Sequence, residues 1–176
     1  MNLGLFILRL VIGLLFVGHG AQKLFGALGG HGLRGTAGFF EGIGLKPGHV
    51  HAWAAGLLEF GGGILLALGL FTPIGSAAVI AVMTAAVTTV HFPKGPWATN
   101  GGYEYNLVLA AVAFGLASVG AGAWSIDHAL SLSMDGVLWG IGALVVGLIG
   151  GFGAVISGHQ YDRQRRPAPT QRPTTA

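Results

Sequence analysis

The chain has 176 residues, of which 52% are hydrophobic and only 9% charged. A soluble domain carries about 25% charged residues, so this composition, with a mean hydropathy of +0.69, excludes an ordinary soluble enzyme and indicates a polytopic membrane protein. The absence of cysteine excludes thiol catalysis and Cys-ligated iron–sulfur chemistry within the chain. The pI near 9.7 does not indicate nucleic acid, because the basic residues are few and stand at the ends of apolar runs.

The first apolar run, Leu3 to Gly26, is long enough to cross a bilayer. No basic residue precedes it and Arg9 interrupts it, which is unlike a cleaved signal peptide. At 100° per residue Arg9, Phe16 and Lys23 lie within roughly 40° of one another, and His19 lies about 80° from Arg9. One face of the helix is therefore basic. A charge at membrane depth costs at least ~2.5 kcal/mol on insertion scales, so these residues call for partners inside the protein.

A loop of about 25 residues, Ala27 to His51, follows. Its segment Gly38 to Leu45 carries paired aromatics suited to a membrane interface, but its glycines argue against a firm helix. The second span runs from Ala52 to Phe71 with Glu59 inside it, and Thr72-Pro73 makes a tight connection. The third runs from Ile74 to Phe92 with His91 at its end. The turn-rich loop after it leads into the fourth span, which opens at Tyr103-Glu104-Tyr105 and ends near Ala123. A fifth span, Gly136 to Ser157, has no charge. Its Gly136/Gly140 and Gly147/Gly151 pairs are spaced as G-x-x-x-G, the pattern of a helix–helix interface and a candidate seam between copies of the chain. Residues 159–176 are rich in Arg and Pro and read as a disordered tail.

Five spans place the two termini on opposite sides. Lys23, Arg34 and Lys46 fall in the first loop, Lys94 in the third, and Arg163, Arg165, Arg166 and Arg172 in the tail. Every Lys or Arg except Arg9 therefore lies on one side, which predicts that side to be cytoplasmic. In this topology His19, Lys23, His91, Glu104 and Tyr105 gather near the cytoplasmic level, with Glu59 deeper and Arg9 deeper still.

Such a set has a structural use, as ion pairs and caps that hold the helices together. It also has the composition of a pocket. Imidazoles and a phenol can hydrogen-bond the head of a quinone or similar small molecule, and a buried carboxylate can handle protons. On this reading Glu59 and His91 handle protons, and Arg9, His19, Lys23, Glu104 and Tyr105 bind the ligand, with Arg9 or Lys23 as counter-charge to Glu59. His49-x-His51 lacks further ligands for a metal site, His19 and His91 lie too near the surface level to favour haem, and the glycine runs lack the strand–turn–helix context of a phosphate loop.

Five segments in order resemble the DoxX family of small bacterial inner-membrane proteins. They are R-L-x-x-G-x-x-F-x-x-H-G-x-Q-K-L-F from Arg9, A-G-L-L-E-F-G-G-G-I-L-L-A-L-G-L-F-T-P from Ala55, M-T-A-A-V-T-T-V-H from Met83, G-G-Y-E-Y-N-L from Gly101, and S-I-D from Ser125. The resemblance implies an all-α membrane bundle, with a four-helix core over residues 1–128 and an added helix at 136–158. It makes Arg9, His19, Gln22, Lys23, Glu59, His91, Glu104 and Tyr105 the recurrent polar positions. It further implies a subunit of a redox system in the inner membrane, with a quinone as candidate cofactor and a soluble redox enzyme or second membrane subunit as partner. A non-enzymatic scaffold for redox enzymes, and a small-solute transporter, are the competing expectations.

Overall fold

The computed structural model describes residues 2–165. They form seven α-helices: α1 (Asn2–Phe25), α2 (Gly32–Gly42), α3 (Gly48–Leu68), α4 (Thr72–Ala86), α5 (Glu104–Val119), α6 (Ile126–Ala129) and α7 (Val137–Arg165). No strand occurs among the described residues. A π-helical turn, Val87–His91, and a short 3₁₀ turn carry α4 on to Lys94. Helices α1, α3, the extended α4 and α7 are long and apolar enough to cross a membrane. α5 has 16 residues, a length of about 24 Å at 1.5 Å per residue, and is the short member of the bundle. The five expected spans are these helices, and the chain is an all-α membrane bundle.

Glycine sets the packing. α1 lies against α3 so closely that a Cβ on Gly13 would stand 2.6 Å from the backbone of Gly63 and Ala67, and a Cβ on Gly63 would meet Gly13 O at the same distance. α4 is the central helix, flanked by α3, α5 and α7. Phe16, Leu66, Ile80 and Leu116 from α1, α3, α4 and α5 form the dry centre, each at most 2% exposed.

The G-x-x-x-G stripe of α7 is used within the chain. Gly140 lies against Ser118 and Phe114 of α5, Gly147 against Ala77 and Ile80 of α4, and Gly151 against Ala81 and Thr84. Close approach to α4 and α5 thus occupies three of the four glycines. α7, the added fifth helix, packs into the bundle against α4 and α5.

Two further expectations change. The loop before α3 contains a helix, α2, with Phe39 and Phe40 on it and its sides against α1 and α3. Packing overrides the low helix propensity of its glycines. The charged end of α7 stays helical to Arg165, where a disordered tail from residue 159 was expected. Lys46 and Asp162 hold it to the α2–α3 connection by an ion pair at 2.7 Å. Residues 166–176 lie outside the described residues.

The α3–α4 corner explains two of the quoted segments together. α3 ends at Gly69 in the left-handed conformation (φ 62°), where a side chain would collide with the Arg9 guanidinium and Ser125. Arg9, fully buried, donates to Leu66 O at 3.3 Å, Ala67 O at 3.5 Å and Trp124 O at 2.5 Å. A cation at a helix C-terminus is favoured by the helix dipole. α4 begins with Phe71 at its N-cap and no cap from its own side chains. The cap comes from Asp127, which accepts from Phe71 N at 2.7 Å, Thr72 N at 3.1 Å and Thr72 Oγ1 at 2.8 Å. G-L-F-T-P and S-I-D are therefore two halves of one corner.

Candidate functional site

At the end of the bundle where α1 finishes and α5 begins, a cavity of about 580 Å³ opens between the helices. That is within the roughly 300–1,000 Å³ of small-molecule sites. Its walls are mostly apolar and come from α1, α2, α3, α4, α5 and α7. Phe16, Met83 and Leu109 line its deep part, and Phe39 and Phe40 of α2, with Ile43 just after it, line another side. Five of the expected site residues border it: His19, Lys23, Glu59, His91 and Tyr105.

Glu59 supplies the buried charge. It sits in the middle of α3 with its side chain 5% exposed, and Lys23 Nζ lies 2.6 Å from its Oε2. Of the two counter-charges considered, Lys23 is the one in place. Arg9 serves the carbonyls at the far end of α3 instead, near a second, smaller cavity of about 350 Å³ whose polar lining includes Asn2, Asp127 and His128. The partners of Arg9 are backbone acceptors, which sequence does not display.

His91 is placed by local backbone chemistry. The run Thr84 to His91 is rich in β-branched residues, and Thr84, Thr88 and Thr89 each turn a hydroxyl back to the carbonyl four residues earlier, at 2.7–2.8 Å. Such bonds satisfy carbonyls where the ladder widens and bend the helix. π-helical turns recur at functional sites, and this one ends on His91, whose Nδ1 lies 2.7 Å from Gly101 O.

Gly101 is held by a cross-braced loop. Gly101 N donates to Ala98 O at 2.8 Å, Gly102 N to Trp97 O at 2.9 Å and Glu104 N to Pro96 O at 2.8 Å. Glu104 Oε1 accepts from Ala98 N at 2.8 Å. Glu104 is thus a positioning residue for this loop and does not border the cavity. Gly101 itself has φ 76°, a conformation that favours glycine.

The other sequence candidates are placed as follows. His19 and Tyr105 are exposed at the cavity mouth, on α1 and α5, two helices that scarcely touch. Gln22 closes the turn after α1 by donating to Leu28 O at 3.1 Å. His49 is exposed, and His51 borders the cavity. Among the described residues no group of three or more His, Cys, Asp or Glu is arranged to hold a metal ion. Sequence reasoning missed Asn106, which is buried, borders the cavity and donates to Met83 Sδ at 3.4 Å. Its signal was an amide beside Tyr105 in an otherwise apolar helix, one step round to the inner face.

The chain is 32% identical over 111 residues to the Bacillus subtilis (strain 168) protein named "Putative oxidoreductase CatD", a match covering 63% of this chain and 76% of that protein. No solved structure matches it significantly. The DoxX family model matches residues 4–92, half of the chain, from α1 through the π-helical turn at His91, and the chain belongs to the DoxX family of membrane proteins.

Proposed function

We propose that this protein is the membrane subunit of a redox system and that its cavity receives a quinone or a related lipid-soluble ring compound. One observation carries the reading: a mostly apolar cavity of about 580 Å³ with an ion pair, imidazoles and a phenol at its edge. Apolar walls suit a ring and its hydrocarbon tail, and the polar groups suit the oxygens of its head. The oxidoreductase name of the Bacillus subtilis relative supports the same direction. The ring supplies redox chemistry when bound, and a partner protein supplies or removes the electrons.

In this reading Lys23 and Glu59 hold a charge-assisted hydrogen bond at one oxygen of the head, and Glu59 passes protons. His19, His91 and Tyr105 contact the head group. Entry is lateral, from the lipid, where α1 and α5 separate. The protein lies in the bacterial inner membrane with loops one and three and the carboxyl end in the cytoplasm, as the one-sided distribution of Lys and Arg supports.

The test is mass spectrometry of small molecules that co-purify in mild detergent, wild type beside Glu59→Gln. The proposal expects a quinone with the wild type and less or none with the variant. No ring compound in either, with soluble redox enzymes co-purifying instead, would favour a scaffold role.

A further inference from the structure

His91 presents the cavity with a defined hydrogen-bonding group. His91 Nδ1 is 2.7 Å from Gly101 O. A carbonyl oxygen only accepts, so Nδ1 carries a proton, and in the neutral imidazole Nε2 is then an acceptor with no proton to give. The loop that presents Gly101 O is braced by its own backbone bonds and by Glu104, which holds the imidazole in that tautomer. His91 borders the cavity, and Nε2 is the nitrogen it has left for a ligand. On the other side, Glu59 Oε2 is engaged by Lys23, and Lys23 retains N–H groups that can face either a carbonyl or a hydroxyl oxygen. Glu59 Oε1 remains an acceptor, but at that oxygen of the head Lys23 can satisfy either form, so the discrimination is that of His91 Nε2.

We infer that the cavity prefers a ligand bearing a hydroxyl donor, the quinol form of the ring, to the quinone with a carbonyl at the same place. The inference rests on the reading of the cavity as a ring-compound site. A hydroxyl there donates to Nε2. A carbonyl there sets lone pair against lone pair and leaves both oxygen and nitrogen unpaired. An unmade hydrogen bond of this kind is worth roughly tenfold in affinity.

The test is titration of the purified protein, in detergent and without oxygen, with decyl-hydroquinone, its dimethyl ether and the matching decyl-quinone. The wild type is expected to bind the hydroquinone about tenfold tighter than the other two. His91→Gln, whose amide offers either a donor or an acceptor, is expected to bring hydroquinone and quinone within about threefold. His91→Phe, which offers neither, should do the same and serves if the glutamine variant does not fold. Equal or tighter binding of the quinone by the wild type overturns the inference but leaves the cavity as a ring site. A preference that survives both substitutions removes it from His91. Failure of all three compounds to bind saturably overturns this inference together with the function it rests on.

Discussion

Lys23 Nζ on α1 lies 2.6 Å from Glu59 Oε2 on α3, with the carboxylate side chain 5% exposed and the lysine 25% exposed. The pair ties α1 to α3, which pack closely at Gly13, Gly20 and Gly63, and sets a charge at the cavity wall. Lys23→Ala leaves Glu59 buried without its partner and is expected to cost about 1.5–3 kcal/mol, toward the lower end because the lysine is partly exposed. Replacing both, Lys23→Met with Glu59→Leu, should cost less than the sum of the two single changes. Thermal unfolding in detergent checks this, and simple additivity would mean that the pair is not coupled.

The Arg9–Asp127 corner makes a separable prediction, because it lies at the other end of the molecule from the cavity. Asp127→Ala removes three accepted hydrogen bonds at the start of α4 and should destabilise by at least about 2 kcal/mol. Thr72→Val removes one and should cost about 1 kcal/mol. Neither should change the affinity of the cavity for a ring compound. A ligand titration on whichever variant still folds tests that separation.

The spans were legible because apolar runs of that length have few other uses, and the ionisable residues were legible because the bilayer makes them costly. The cavity groups His19, Lys23, Glu59, His91 and Tyr105 were found by depth along four helices, which needs only topology. Arg9 and Glu104 show where this fails. Depth set Arg9 apart from the rest, and its partners are the carbonyls of Leu66, Ala67 and Trp124. Glu104 is at the right level and turns into the loop to hold Ala98 N. Charge matching sees side chains only. Helix α2 was obscured by its glycines, whose cost is repaid by packing on α1 and α3. The stripe on α7 was read as a small-residue face, which it is, but sequence does not say whether such a face meets its own chain or a second copy.

The glycines divide into two classes with opposite expected behaviour. Gly13→Ala and Gly147→Ala each place a methyl 2.6 Å from a neighbour in another helix and should cost about 1–3 kcal/mol through overpacking. Gly61→Ala and Gly115→Ala meet nothing within 4 Å and should be neutral or slightly stabilising, since alanine is the better helix former. Thermal melts of the four single variants decide it, and equal losses at all four would contradict the packing described.

The orientation is testable because the chain has no cysteine of its own. Single cysteines at His49 and Lys94 should be shielded from a membrane-impermeant maleimide in intact cells, and one at His128 should react. The reverse labelling pattern would invert the proposed topology and put the cavity mouth at the outer leaflet.

The most direct measurement of the central claim is photolabelling of the membrane-embedded protein with an azido-quinone, followed by peptide mapping. The account predicts labels within residues 16–23 of α1, around Met83 to His91, and around Tyr105 to Leu109. Excess unlabelled quinone should abolish them. Labels confined to the lipid-facing side of α7, around Val146, Ile149 and Ile156, and insensitive to competition, would contradict it.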